Sequence, residues 1–198
     1  MPRRTHFDFL APFYDRVIRP ADVSHLSRLA GLPCAGRLLD AGGGTGRIAD
    51  SLAGKVDRIV VADESLAMLA QARRKARLGL VASRTEHLPF TTGSFARVVM
   101  VDAFHHLADQ EASLAELWRI VAPGGRLVVE EPDLLRPGVR LIAVLERLAR
   151  MRSRFRRGEE IAAMSERLGA RVHIHRLDHT VWIVAEGSQL RGQGVPRG

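Results

Sequence analysis

The sequence predicts an α/β protein: a doubly wound, mostly parallel sheet that ends in a C-terminal antiparallel hairpin. Three observations carry this expectation. Short runs rich in Val, Ile and Leu alternate with longer stretches whose apolar residues recur at helical spacing, the order laid down by βα units. Glycines crowd the end of the first apolar run, where such a unit must turn sharply. Two β-type runs near the C-terminus are separated only by Asp178-His179, close enough to pair as a hairpin.

In chain order, a helix from Ala21 to Ala30, stopped by Gly31, precedes a first strand from Arg37 to Asp40. A helix from Arg47 to Ala53, stopped by Gly54, leads to a second strand from Arg58 to Asp63. Ser65 is placed to cap a third helix reaching Arg77, with Leu66, Leu69 and Ala70 on one face. Strands follow from Leu80 to Ser83 and from Ala96 to Val101. A helix from Asp109 to Val121 is stopped by Pro123-Gly124-Gly125, and a fifth strand runs from Arg126 to Glu130. Beyond it lie a basic amphipathic stretch from Gly138 to Phe155, a break at Arg157-Gly158 and a helix from Glu159 to Leu168. The hairpin strands Arg171 to Leu177 and Thr180 to Glu186 complete the pattern. We expect one domain over 1–186, with 1–31 as an N-terminal helical cap, 136–157 as a basic lid-like helix, and the Gly-rich 187–198 as a disordered tail.

A chain of 198 residues can bury one substantial core. No stretch approaches the roughly 20 uninterrupted apolar residues of a membrane span, and the first residues lead into no secretory core, so a cytoplasmic location is expected. Cys34 is the only cysteine, which excludes an intrachain disulfide and a thiolate cluster. The net charge of +8 is carried almost wholly by arginine, since Lys55 and Lys75 are the only lysines. Such a balance suits anionic partners only where the arginines share a face.

Gly42, Gly44 and Gly46 alternate at the end of the first strand, where a ligand can approach main-chain atoms with no Cβ in the way. Asp63 ends the second strand about 20 residues further on, where a carboxylate can accept the hydroxyls of a ribose. This Rossmann-like arrangement suits an adenosyl group. It also suits a nicotinamide dinucleotide, because Gly44-Thr45-Gly46-Arg47-Ile48-Ala49 satisfies the G-x-G-x-x-A pattern. Asp40, placed before the loop to engage a cationic amine, weighs against the dinucleotide.

Several blocks in order resemble the class I S-adenosylmethionine-dependent methyltransferases, in particular the ubiquinone and menaquinone C-methyltransferase branch. They are His6 to Asp15, the glycine loop, Val61-Ala62-Asp63-Glu64-Ser65 with Met68-Leu69, Glu86-His87-Leu88-Pro89-Phe90, Ser94-Phe95, Phe104-His105-His106-Leu107, and Leu117 through Pro123-Gly124-Gly125-Arg126-Leu127. The resemblance implies S-adenosylmethionine as cofactor. It implies that Asp40, Gly42 and Gly44 hold its methionine part and Asp63 its ribose. Thr85 and Glu86 would meet the adenine edge, with Leu88 and Met68 as apolar contacts. Tyr14 would close over the methionine end, and Asp102 to His106 would line the floor near the methyl group. Glu64 and Arg84 depart from the family pattern at the adenine pocket, and we expect them to form an ion pair at its rim.

Methyl transfer needs positioning above all, with proton removal where the acceptor requires it, and no metal. His105 and His106 follow the fourth strand and are the candidate bases; either could equally cap the next segment and pack. His173 and His175 are read as strand surface, and Trp118 and Trp182 as core. The basic helix is read as a lid, with contact to an anionic membrane surface or RNA as its alternatives. The acceptor is expected to be a small or lipid-like molecule, such as a quinone precursor. A nicotinamide oxidoreductase and a nucleic-acid methyltransferase remain the competing classes.

Overall fold

The computed structural model describes residues 22–75, 77–136, 139 and 154–187. The N-terminal block 1–21, most of the basic stretch and the tail therefore lie outside the described residues. Seven strands form one sheet in the order β3-β2-β1-β4-β5-β7-β6. They are β1 (Arg37–Ala41), β2 (Arg58–Asp63), β3 (Leu78–Ala82), β4 (Phe95–Val101), β5 (Val121–Pro132), β6 (Arg171–Leu177) and β7 (Thr180–Glu186). The first five run parallel; β7 lies antiparallel to both β5 and β6.

The helices are α1 (Val23–Leu29), α2 (Arg47–Ser51), α3 (Leu66–Ala72), α4 (Gln110–Ile120) and α5 (Gly158–Arg167). Three have side-chain caps, in which Asp22 accepts from the His25 N–H, Ser65 from Met68 and Asp109 from Ala112. Both α2 and α3 are shorter than their patterns predict, and β3 begins at Leu78. The largest departure is β5. Val121 already pairs with Phe95, and Arg126 pairs with Arg97, so five steps on β5 oppose two on β4. Pro123-Gly124-Gly125 is thus a bulge within the strand, with Gly124 at φ 71°, and not the gap before it.

Alternation along the strands makes two cores. Leu39, Val98, Met100, Leu127, Val129 and Ile183 pack with Leu114, Leu117, Ile120 and Ile161 on the α4/α5 face. Leu38, Val61, Val99, Val128, Trp182 and Val184 pack with Leu26, Ile48, Leu52 and Leu69 on the other. The same period sends Glu130 and Glu131, neighbours at the carboxyl end of β5, to opposite faces. Among the described residues no helix is long and apolar enough to cross a membrane.

Candidate functional site

The sheet order reverses between β1 and β4, and in such sheets the crevice outside the carboxyl ends of the strands at that point receives ligands. The glycine loop sits there. Gly42, Gly44 and Gly46 adopt φ of 66°, 53° and 71°, a region closed to most side chains. A Cβ on Gly42 would stand 2.8 Å from the Ala103 Cβ; one on Gly44 would meet only Met68 Sδ at 3.8 Å and Asp63 Oδ2 at 3.9 Å. Among the described residues the main chain at Gly44 is therefore open to a ligand.

Two carboxylates shape the loop. Asp40 is 1% exposed and accepts from the Ala49 N–H at 3.1 Å, while a Cβ on Gly43 would lie 2.6 Å from its carboxyl group. Burial pushes its pKa up to about 7; the Ala49 bond opposes this and the nearby Asp63 charge adds to it. Asp63 accepts from the Gly44 N–H at 2.9 Å and from the Ser65 N–H at 2.8 Å, so it clamps the loop to the start of α3. Lys75 braces the other side, donating to the Thr45 carbonyl at 2.8 Å.

A cavity of about 30 Å³ opens beside the loop, lined among others by Asp40, Gly42, Gly44, Arg47 and Asp102. Arg47, in the first turn of α2, lies near the carboxyls of Asp40, Asp102 and Glu130 and pulls the pKa of each down. Its Nε is buried and has no hydrogen-bond partner among the described residues. A larger depression of about 340 Å³ lies before β1 and β2, at the amino ends of the strands. Its charged groups already serve the fold, Lys55 donating to Ser27 Oγ and Asp57 accepting from the Gly36 N–H.

The residues expected at the adenine end are placed less uniformly. Thr85 is buried and Glu64 exposed. The expected Glu64–Arg84 pair does not form; Arg84 meets Glu86 instead, Nη2 to Oε1 at 3.0 Å. Glu86 is two residues along the same segment, and this short link prevails over reaching across to the end of β2. Leu88 is 5% exposed and turned into the core, with its N–H donating to Glu116. Tyr14 lies outside the described residues.

At the end of β4, Asp102 turns the backbone at φ 50° into a 3₁₀ turn, Phe104–His106. Burial and the Glu131 charge raise the Asp102 pKa. His105 is buried, its Nδ1 2.7 Å from Glu131 Oε2. Burial and the charge of His105 press His106 down to about 3. On the opposite face Glu130 is 3% exposed and accepts from Trp182 Nε1 at 2.8 Å; burial pushes it up to about 7. Sequence reasoning passed over Arg47, Lys75, Glu130 and Glu131. Two acids closing an apolar strand at the carboxyl edge were the available signal. His173 and His175 are exposed on β6, and no group of His, Cys, Asp and Glu suited to a metal occurs among the described residues.

A family model described as a methyltransferase domain matches residues 39–129. That segment is similar to methyltransferase domains. Its span takes in Asp40, the glycine loop, Asp63, Thr85 to Leu88, Asp102, His105 and His106, and stops just before Glu130. The demethylmenaquinone methyltransferase of Thermus thermophilus is 40% identical over 139 residues, 63% of this chain and 63% of that relative. The chain therefore spans less than two thirds of that relative's length. The chain shares its Rossmann-like fold with solved structures. A SAM-dependent methyltransferase of Thermotoga maritima, described as a possible histamine N-methyltransferase, has 24% identity and a TM-score of 0.74; the match covers 92% of this chain and 98% of that one. DhpI, solved in complex with SAH, has 19% identity and a TM-score of 0.71, over 92% and 94% of the two chains.

Proposed function

We propose that this chain transfers a methyl group from S-adenosylmethionine to a small or lipid-like acceptor, with quinols of the demethylmenaquinone type as the acceptor class. The observation that carries the reading is the left-handed glycine loop folded between Asp40 and Asp63, inside a segment that matches a methyltransferase domain. The cofactor, when bound, supplies a methyl group activated on a sulfonium. The residues present fit it. Gly42 and Gly44 offer main chain to its methionine part, over the buried Asp40. Asp63 would take the ribose hydroxyls, since an ionised carboxylate offers about four acceptor sites. Thr85 and Glu86, with Glu64 at the rim, would bound the adenine. Leu88 would support that wall from within the core, Tyr14 would close the methionine end, and Asp102 would border the methyl group. The quinol assignment rests on the Thermus relative. The arginine-rich stretch 136–157 would shelter such an acceptor or meet the anionic lipid that carries it, and vesicle co-sedimentation at low and moderate salt tests the second role.

Calorimetric titration with S-adenosylhomocysteine tests the cofactor. Asp63→Ala should weaken binding by at least about 150-fold, the loss of two hydrogen bonds to a charged group at roughly 1.5 kcal/mol or more each. Arg84→Ala should change it less than about threefold, because the guanidinium is mostly solvent-exposed and exposed pairs contribute little. Absence of heat with S-adenosylhomocysteine, together with thermal protection by a nicotinamide dinucleotide, would reverse the reading. Transfer of label to reduced 2-prenyl-1,4-naphthoquinone tests the acceptor class.

A further inference from the structure

The segment from Leu88 to Gly93 is a strap fastened to the last turns of α4 by two side chains. Glu116 and Arg119, one turn apart, form an ion pair with Nε 2.7 Å from Oε2. A pair at that spacing ordinarily does little beyond steadying its own helix. Here both members also reach off it. Glu116 Oε1 accepts from the Leu88 N–H at 2.9 Å. Arg119 donates through Nη2 to the Phe90 carbonyl at 2.8 Å and the Leu88 carbonyl at 3.4 Å, and through Nη1 to Thr92 Oγ1 at 3.2 Å. The Arg119 carbonyl accepts from the Gly93 N–H at 3.0 Å, which closes the far end of the strap.

At Leu88 the grip passes toward the crevice. Its N–H and its carbonyl are both held, so the peptide planes on either side of it are fixed, and its side chain is buried in the core that includes Ala41 and Ala62. Immediately before it lies the turn Arg84 to His87, closed by the His87 N–H on the Arg84 carbonyl at 3.1 Å. The other root of that turn is the Ser83 N–H, which donates to the Asp63 carbonyl at 3.1 Å. The turn is therefore hung between the end of β2, where Asp63 stands, and the clamped Leu88.

Its polar content is Thr85, which is buried, and Glu86, whose side chain is 9% exposed. The Glu86 carboxylate accepts at Oε1 from Arg84 and, at 3.4 Å, from the Asp109 N–H at the start of α4. Burial alone would raise its pKa; the hydrogen bonds to it and the Arg84 charge outweigh burial and hold it below the ordinary range. Glu86 is thus an acceptor only. One helix supports the turn from both sides, its first residue at Glu86 and its last turns at Leu88.

We infer that Glu116 and Arg119 are positioning residues for base recognition: by clamping Leu88 they hold the turn 84–87 at the height where Glu86 accepts from the exocyclic amine of adenine. This rests on the methyltransferase reading above. The task suits arginine, whose planar fork addresses several acceptors at fixed angles, whereas an ammonium is a single point of charge on a flexible stem.

Arg119→Lys keeps the charge opposite Glu116 and removes the fork. Calorimetric titration with S-adenosylhomocysteine and with S-inosylhomocysteine, in which a carbonyl oxygen replaces the adenine amine, separates base reading from general damage. The wild type should bind the adenosyl compound about a hundredfold more tightly, because the inosyl compound leaves the buried carboxylate facing an oxygen. In Arg119→Lys the adenosyl compound should bind about tenfold more weakly, as when one charge-assisted hydrogen bond is lost, and the inosyl compound should change less than about twofold. The preference then narrows to roughly tenfold. Glu116→Gln places an NH₂ donor where the carboxylate accepted from Arg119 or Leu88, so it should narrow the preference too, and it serves if the Lys variant fails to fold. Equal weakening of both compounds in the variants would show a merely structural role and overturn the inference, as would an undiminished preference; either result leaves the cofactor reading intact. A wild type that binds both compounds equally well overturns the inference as well. A wild type that binds neither removes the methyltransferase reading, and the inference with it.

Discussion

Gly46→Val is expected to lower stability by about 4 kcal/mol and to abolish measurable S-adenosylhomocysteine binding. Gly46 precedes α2 in the left-handed region, φ 71° and ψ 23°. A β-branched residue held there costs roughly 1–3 kcal/mol in backbone strain. The new Cβ would also stand 2.9 Å from Leu78 Cδ1 and 3.3 Å from the Ala72 Cβ, and overpacking of this kind adds about 1–3 kcal/mol. The protein can relieve both only by unwinding the loop, which removes the main-chain cradle. Urea unfolding and calorimetry on the same sample check the two halves. A wild-type midpoint with intact binding would mean that the loop does not depend on this backbone conformation.

Glu130→Gln should stabilise the protein at pH 8 by about 3 kcal/mol and leave it within about 1 kcal/mol of the wild type at pH 4. Burial lifts the folded-state pKa of Glu130 to about 7 from the ordinary 4.5 of a solvated glutamate, so the folded state binds this proton more tightly than the unfolded chain. The stability linked to that proton is complete below about pH 4.5 and is lost as pH rises through 7. At about 1.4 kcal/mol per pH unit, the interval amounts to roughly 3 kcal/mol. Glutamine keeps an oxygen for Trp182 Nε1, now 2.8 Å from the carboxylate, and has no charge to desolvate. The variant should retain some slope, because Asp40 is raised over the same window. Urea unfolding at pH 4, 6 and 8 measures the difference; parallel curves for the two proteins would contradict it.

The alternation of apolar runs and helical stretches was enough to place every strand of the sheet in chain order, because each βα unit carries its own period and its own stops. The ends of elements were less legible. Pro123-Gly124-Gly125 looks like a break in any local window, and only pairing of Val121 with Phe95 across the sheet turns it into a bulge. That Asp63 closes β2 was readable from the apolar run alone, since the end of a strand fixes where its last side chain stands. Arg84 was not, because two carboxylates lie within its reach and the choice of Glu86 depends on rotamers. Glu130 and Glu131 escaped for a deeper reason. Their importance comes from partners far along the chain or on another strand, Trp182 and His105, and no sequence pattern announces which acid meets which.

Strand β7 is synthesised after β6 yet lies between it and β5. The ribosome delivers the parallel part of the sheet first, but β6 has no neighbour to join until β7 has followed it. Until then the outer edge of β5 stands open, with Glu130 waiting for an indole that arrives 52 residues later. The growing chain thus exposes a long apolar strand edge for the time needed to make the final hairpin, and that interval is when it is most open to pairing with another copy of itself.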